Sequence, residues 1–349
     1  MSSVPAALLV VIFAASAAAI WIAGIELSST TDALDAHFGL GSALGGLIIL
    51  SVATNLPEIV ITVTAAMSGK LGLAVGNLLG GIAIQTLVLA LLDVGVGART
   101  TLTYIAASLL LVIEGAVVVA VTVAAIMTTQ LPESTNVGGI SPGSVGIVVL
   151  WVAGLVVIAR SRSSLPWRAE AMGADPGTTP MERPMPARHK ERAFRSIALL
   201  FAAAAIVTLG AGVAIEESGS ALASKIGLQG AVFGATFLAA ATALPEVSTG
   251  LQAVRQGDYQ LAISDIFGGN AFLPALFLLA DVLAGKPALA SAQGTDVWIA
   301  GLGVVLTGVY LVGLILRPKR VRARMGPDSL TAIALYALGI AGLLAIPST

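Results

Sequence analysis

The sequence predicts an all-α integral membrane protein with ten transmembrane helices arranged as two inverted five-helix repeats. Composition excludes a soluble surface: 57% of residues are hydrophobic and 11% charged, at a mean hydropathy of +0.96. Ten apolar stretches approach the ~20 residues needed to cross a hydrocarbon core of ~30 Å. The phrase ATNLPE, Ala53 to Glu58, returns as ATALPE, Ala241 to Glu246, at an offset of 188. The same offset superposes Gly24 on Gly212, Gly39 on Gly227, Gly69 on Gly257, Gly80 on Gly268 and Asp93 on Asp281. A chain that repeats at one fixed offset is a duplicated unit.

The apolar stretches lie near 5–27, 41–67, 70–92, 100–127 and 143–159 in the first half. In the second half they lie near 196–215, 228–254, 259–284, 296–316 and 329–347. The first, Val4 to Leu27, lacks the basic start of a signal sequence, exceeds a signal core in length, and has a counterpart in the second half. Residues 1–160 form the first five-helix repeat and 196–349 the second, with their most similar portions at 41–93 and 228–282. Between them, 161–195 is rich in Pro, Gly, Arg and Ser without apolar periodicity, and reads as a cytoplasmic linker.

Basic residues set the orientation. Arg160, Arg162, Arg168, Arg183, Arg188, Lys190, Arg192 and Arg195 follow the fifth stretch, and Arg317, Lys319, Arg320, Arg322 and Arg324 follow the ninth. With Arg99 and Arg255 they share one side, against Lys70, Lys225 and Lys286 on the other. The positive-inside rule then puts both termini outside, and five spans per half make the halves inverted.

Each LPE phrase puts a carboxylate inside an apolar stretch, where an ionised side chain costs ~3 kcal/mol or more. Pro57 and Pro245 remove a backbone donor and free carbonyls of the preceding turn. Thr54 and Thr242, four residues before Glu58 and Glu246, lie on the same helical face as their glutamates and add hydroxyl oxygens. The result is a hard, oxygen-only ligand set suited to sodium or calcium. For one copy alone, a mere proline kink whose glutamate bonds to a neighbouring helix is the lesser alternative. Two copies in inverted halves would bring both carboxylates together at the midplane.

A second matched pattern follows: LAVGNLLGGIAIQT, Leu73 to Thr86, against LAISDIFGGNAFLP, Leu261 to Pro274. Asn77 and Asp265 correspond, each nineteen residues after its glutamate. The pairs Gly80 with Gly81 and Gly268 with Gly269 allow close helix contact. Glu114 has no counterpart and reads as a hydrogen-bonded buried carboxylate or a proton relay. Asp93 and Asp281 read as caps or loop anchors, and Glu26, Glu216 and Glu217 as solvated boundary residues.

With these motifs the chain resembles the calcium/cation antiporter superfamily, which includes the sodium/calcium exchangers. The resemblance covers the whole chain, through a TSLPE-like phrase and a GNxxGSNxFN/D-like phrase in each half. It implies ion-binding residues at Thr54, Glu58, Thr242 and Glu246, together with polar positions of the third and eighth helices. There Gln85 matches the family's second polar ligand, and Asn77 and Asp265 join the candidate set. Departures bear on the substrate. Asn55 and Ala243 replace the serine after threonine, Gly81 and Gly269 replace the serines of GSN, and Leu273 stands where a carboxylate or amide is expected. Asp265 occupies the position of the GN asparagine, ~12 Å along the helix from residue 273. It is expected to carry a proton or line the access path rather than ligate the same ion.

The resemblance implies a secondary antiporter that exchanges calcium for sodium or protons by alternating access. The alternative is a sodium/proton or other divalent cation/proton antiporter on the same scaffold; an organic-solute carrier is less favoured. An intramembrane enzyme is disfavoured by the absence of HExxH, of cysteine and of any histidine in an apolar stretch. No cofactor is expected beyond the transported calcium, sodium or proton. The partners are inorganic cations and the lipid bilayer, with no nucleic acid, and the expected location is the inner or plasma membrane.

Overall fold

The computed structural model describes residues 4–38, 52–161, 194–225, 227 and 233–346, and these are almost entirely helical. The starts of two expected spans, 41–51 and 228–232, and nearly all of the expected linker 161–195 lie outside the described residues. The first half contains α1 (Ala6–Phe38), α2 (Leu56–Met67), α3 (Leu71–Val96), α4 (Leu102–Ala106), α5 (Leu109–Thr128) and α6 (Pro142–Ser161). The second contains α7 (Phe194–Lys225), α8 (Ala239–Thr242), α9 (Leu244–Gln256), α10 (Tyr259–Phe272), α11 (Leu276–Ala284), α12 (Gly294–Leu316) and α13 (Pro327–Ala345). A π turn, Gly234–Leu238, leads into α8, and a 3-10 turn, Leu273–Ala275, joins α10 to α11.

Among the described residues, seven segments are long and apolar enough to cross a membrane, in α1, α3, α5, α6, α7, α10 with α11, and α12. The chain is an all-α membrane protein. Its largest core cluster is built mainly from α3, α5, α10, α11 and α12, with Leu79, Ile82, Val118, Phe267, Phe277 and Leu306 fully buried. A second cluster joins α1 to α7 through Ile20, Ala211, Ile215 and Ala223.

Three differences from the expected spans have local causes. Helices α1 and α7 run on to Phe38 and Lys225, past 27 and 215. At ~1.5 Å per residue α1 is ~50 Å long, more than a bilayer core requires, and it packs on α7 through Ile20, Ala211 and Ile215. The stretch 100–127 is interrupted because Ser108 is extended (φ −150°) and its hydroxyl accepts from the Leu110 N–H, starting α5 afresh. The stretch 259–284 tightens at Pro274, which has no N–H to give an α-helical bond.

The fourth difference concerns the LPE phrases. The chain breaks at Asn55 (φ −88°, ψ 14°) and at Ala243 (φ −77°, ψ 2°), and each proline is the second residue of a new helix. Glu58 and Glu246 therefore sit in the first turns of α2 and α9, not deep inside continuous helices. Because Pro57 and Pro245 lack N–H groups, the carbonyls of Ala53 and Ala241 have no donor four residues on.

Both helices end alike. Gly69 (φ 71°) and Gly257 (φ 79°) adopt the left-handed conformation. The next N–H, of Lys70 or Asp258, reaches back to Ala65 (2.8 Å) or Ala253 (2.9 Å), closing a Schellman turn. The α2–α3 turn lies at the start of α3. The α9–α10 turn lies at its other end, where Gly95 faces Leu251 and Val254. The two hairpins thus open in opposite directions.

The same axis sorts the loops. Near the end of α3, Arg317 stacks over the Tyr104 ring, and Thr101 bonds the carbonyl of Pro318. Near its start, Gly72 faces Ser291 of the loop that carries Lys286. Asp93 accepts from Leu102 N–H (2.6 Å), Gly326 N–H (2.7 Å) and the Ser329 hydroxyl (2.7 Å). Its mate Asp281 accepts from Ala288 N–H (2.6 Å) and Ser141 N–H (3.0 Å). Both aspartates tie loops of the two halves together. Glu216 is not a solvated boundary residue: it is buried, and Lys70 reaches it at 3.3 Å.

Candidate ion site

Glu58, Glu246, Thr54, Thr242, Asn55 and Gln85 are all completely buried where α2, α3 and the α8–α9 break meet. Placing two carboxyl groups there requires polar neighbours, and the chain supplies them crosswise. Thr242 lies beside Glu58 and Thr54 beside Glu246, so each threonine neighbours the glutamate of the other half, while the Thr242 hydroxyl itself donates to the Ala239 carbonyl (3.2 Å). Breaks at Asn55 and Ala243 separate each threonine from the helix that carries its own glutamate. The two carboxyl groups are close enough to interact electrostatically.

Gln85 adds an amide from α3, donating to Asn55 Oδ1 (3.3 Å) and to Glu58 Oε1 (3.4 Å). Its own Oε1, Glu58 Oε2 and both carboxyl oxygens of Glu246 have no hydrogen-bond partner among the described residues. Such buried oxygens cost ~1–3 kcal/mol each when left unsatisfied. Carboxylate, hydroxyl, amide and freed carbonyl oxygens form a donor set for a hard cation.

Contacts exchanged by the 188-residue offset recur around this cluster. Gly24 of α1 faces Pro245, and its mate Gly212 of α7 faces Pro57. Gly81 faces Leu273, and its mate Gly269 faces Gln85 and Asn55. Asn270 donates to the carbonyl of its own counterpart, Ile82 (3.4 Å), and to Thr86 Oγ1 (2.9 Å). The glycines are thus where helices of opposite halves touch. At those contacts the first half presents an amide and the second a leucine.

The remaining candidates stand apart. Asn77 is buried on α3, and neither of its polar side-chain atoms has a hydrogen-bond partner among the described residues. Asp265 on α10 accepts a hydrogen bond from Thr249, whose hydroxyl also bonds the Glu246 carbonyl (3.2 Å). Among the described residues no three His, Cys, Asp or Glu side chains converge to hold a metal. Glu114 is buried on α5 beside Gly115, which packs on Phe267 and Leu311. Asn55, Thr249, Asn270 and Thr86 were not on the sequence's candidate list. Asn55 lies within the LPE phrase and was legible as a substitution, but Thr249 and Asn270 have apolar mates, Ile61 and Ile82, so the duplication gave no signal for them.

The sodium/calcium exchanger family model matches residues 8–160 and 195–345. The chain belongs to this family. Among its relatives, the inner membrane protein YrbG of Escherichia coli is 26% identical over 302 residues, covering 79% of this chain and 86% of the relative. The putative antiporter CaxA of Alkalimonas amylolytica is 27% identical over 286 residues, covering 79% and 82%. The crystal structure of the H+/Ca2+ exchanger CAX superposes with a TM-score of 0.68 at 14% identity, over 98% of this chain and 82% of that one. The sodium-calcium exchanger NCX_Mj, soaked with sodium and strontium, superposes at 0.62 and 16% identity, over 97% and 99%. The exchanger fold therefore extends over the full length described, and the chain is a multi-pass membrane protein of the calcium/cation antiporter superfamily.

Proposed function

We propose that this exchanger-family member is a secondary antiporter that moves calcium against sodium or protons, with one cation held between Glu58 and Glu246. The carrying observation is that Glu58 and Glu246 are completely buried together with Thr54, Thr242 and Gln85, the two halves each giving one glutamate and one threonine, while three of the four carboxyl oxygens have no hydrogen-bond partner among the described residues. A site shared between halves changes access when one half moves against the other. Glu58, Glu246, Thr54, Thr242 and Gln85 supply the ligands, with Asn55 positioning Gln85. Two acidic groups accept one divalent ion or are neutralised by monovalent ions or protons, and mutually exclusive occupancy gives exchange without bond chemistry. The relatives named for H+/Ca2+ and sodium-calcium exchange support this substrate class.

The two halves are read as inverted five-helix repeats, 1–160 and 196–349, joined by a cytoplasmic linker at 161–195. Hairpins opening in opposite directions, and contacts paired at the 188-residue offset, support that reading. Grouping of Arg99, Arg255 and the Arg317 loop at one end of α3 supports termini on the outer side of an inner membrane. A second reading, exchange of sodium or another divalent ion for protons, is favoured by Leu273, which contributes no oxygen where Gln85 does in the first half.

The test is cation flux in proteoliposomes under imposed sodium and proton gradients, comparing wild type with Glu58→Gln and Glu246→Gln. Gradient-driven calcium uptake that both substitutions abolish is expected. Transport that survives both replacements refutes the site.

A further inference from the structure

We propose that Asp265 makes the two approaches to the carboxylate pair unequal, drawing cations onto Glu246 from the end that carries Arg255, while the matching approach past Asn77 is uncharged. The inference rests on the antiporter reading and deepens it by assigning a sidedness determinant.

Asn77 and Asp265 occupy the same register, the seventh residue of α3 and of α10. Each is therefore ~9 Å along its helix from the hairpin turn. Because the hairpins open in opposite directions, Asp265 lies toward the Arg255 end of the molecule and Asn77 toward the Lys70 end. Each sits between a turn and the glutamate of its own hairpin.

The two positions are built differently. Asp265 is held by Thr249, whose hydroxyl also bonds the backbone of Glu246, and it lies close enough to Glu246 to act on it electrostatically. In the first half Ile61 stands in place of Thr249, and Asn77 has no hydrogen-bond partner among the described residues. One sequence slot is acidic and fixed on one approach, and neutral and unheld on the other.

The elements packed on α10 do not cancel the acidity. Helix α9 brings Glu246 and the exposed Arg255, α5 brings Glu114, α4 brings Tyr104, and α3 brings Asp93, which is engaged by Leu102, Gly326 and Ser329. No lysine or arginine side chain on these elements is buried. A passage lined by one sign of charge within low-dielectric walls concentrates the opposite ion.

The experiment measures half-saturating calcium for radiolabelled calcium exchange at each face, in right-side-out and inside-out vesicles. Asp265→Asn is expected to raise it about tenfold at the face of the Arg255 end, with less than about a twofold change at the other face and in maximal rate. Asp265→Glu restores the wild-type value. Asn77→Asp is expected to lower half-saturation at the opposite face, and it replaces a side chain that makes no hydrogen bond, so it reports even if Asp265→Asn fails to fold. Equal shifts at both faces, a fall in maximal rate alone, or no shift in either variant overturns the proposal. If wild type moves no cation, or Glu58→Gln and Glu246→Gln transport normally, the antiporter reading falls and this inference with it. If those glutamates remain essential while the sided shift is missing, only the role of Asp265 is lost.

Discussion

Gly81 and Gly269 are matched by the repeat, yet replacing them should have opposite consequences. An added Cβ at Gly269 would lie 2.9 Å from Asn55 Nδ2 and 3.4 Å from Gln85 Oε1. Unstrained contacts begin near ~3.5 Å, so Asn55 must retreat by about half an ångström while Gln85 is already at van der Waals range. The Gln85 bond to Asn55 Oδ1 is 3.3 Å long and does not survive that retreat, which releases the amide that also donates to Glu58. A hydrogen bond to a charged group contributes ~1.5–3 kcal/mol. The lower figure corresponds to about tenfold in affinity, so Gly269→Ala should raise half-saturating calcium about tenfold. At Gly81 the added Cβ meets only Leu273 Cδ1, at 3.0 Å. A leucine methyl can rotate aside without disturbing any polar ligand, so Gly81→Ala should change half-saturation by less than about twofold, a surface-like perturbation. The assay is calcium uptake in proteoliposomes, with thermal unfolding in detergent as the check that both variants fold. Equal loss of affinity in the two variants, or an unaffected Gly269→Ala, would show that Gln85 is not an ion ligand.

The threonines buried beside the carboxyl pair give a second outcome: as hydroxyl ligands of the cation, Thr242→Val and Thr54→Val should each raise half-saturating calcium by about tenfold, measured in the same uptake assay, with maximal rate largely kept. Asp93→Asn should lower the unfolding temperature, since its carboxyl accepts three hydrogen bonds between 2.6 and 2.7 Å, at a cost of ~2–3 kcal/mol; half-saturating calcium should stay unchanged, which separates a loop anchor from a ligand. Lys70→Met leaves buried Glu216 without its 3.3 Å partner. Because Lys70 is half exposed, the expected loss is only ~1 kcal/mol, read as a small drop in unfolding temperature without a shift in half-saturation.

Membrane class and seven of the expected spans were legible because a bilayer imposes a length and a polarity that few side chains violate. The helix interruptions were only partly legible. Pro57, Pro245 and Pro274 announce a missing donor, but whether the chain kinks, tightens to 3-10 or stops depends on what packs beside it. At Ser108 nothing in the hydropathy marks the break, because a serine in an apolar run reads equally as a helix residue or as the cap it proves to be. The length of α1 and α7 was hidden for a related reason. The two helices pack on each other, and pairing between segments so distant in sequence has no local signature.

The candidate cluster was legible where the duplication preserved a residue type, and obscure where the halves diverged. Thr54, Glu58, Thr242 and Glu246 stood out in the sequence because each copy vouches for the other, and they are buried together; the break between each threonine and its glutamate was not legible, because the same-face rule assumes a helix that does not break. Divergence itself carries information. Gln85 against Leu273, and Asp265 with Thr249 against Asn77 with Ile61, are slots that symmetry would make equivalent and that the chain has made unequal. A carrier with identical halves would present the same site to both faces. Here the amide lies with the first half and the additional carboxylate with the second, so loading from one face and release at the other need not be mirror images. Exchanging the two slots, with Asn77→Asp and Asp265→Asn together, should therefore reverse the ratio of half-saturating concentrations at the two faces rather than abolish transport. Sided flux measurements on the double variant decide this, and a ratio that keeps its wild-type direction would place the asymmetry elsewhere in the fold.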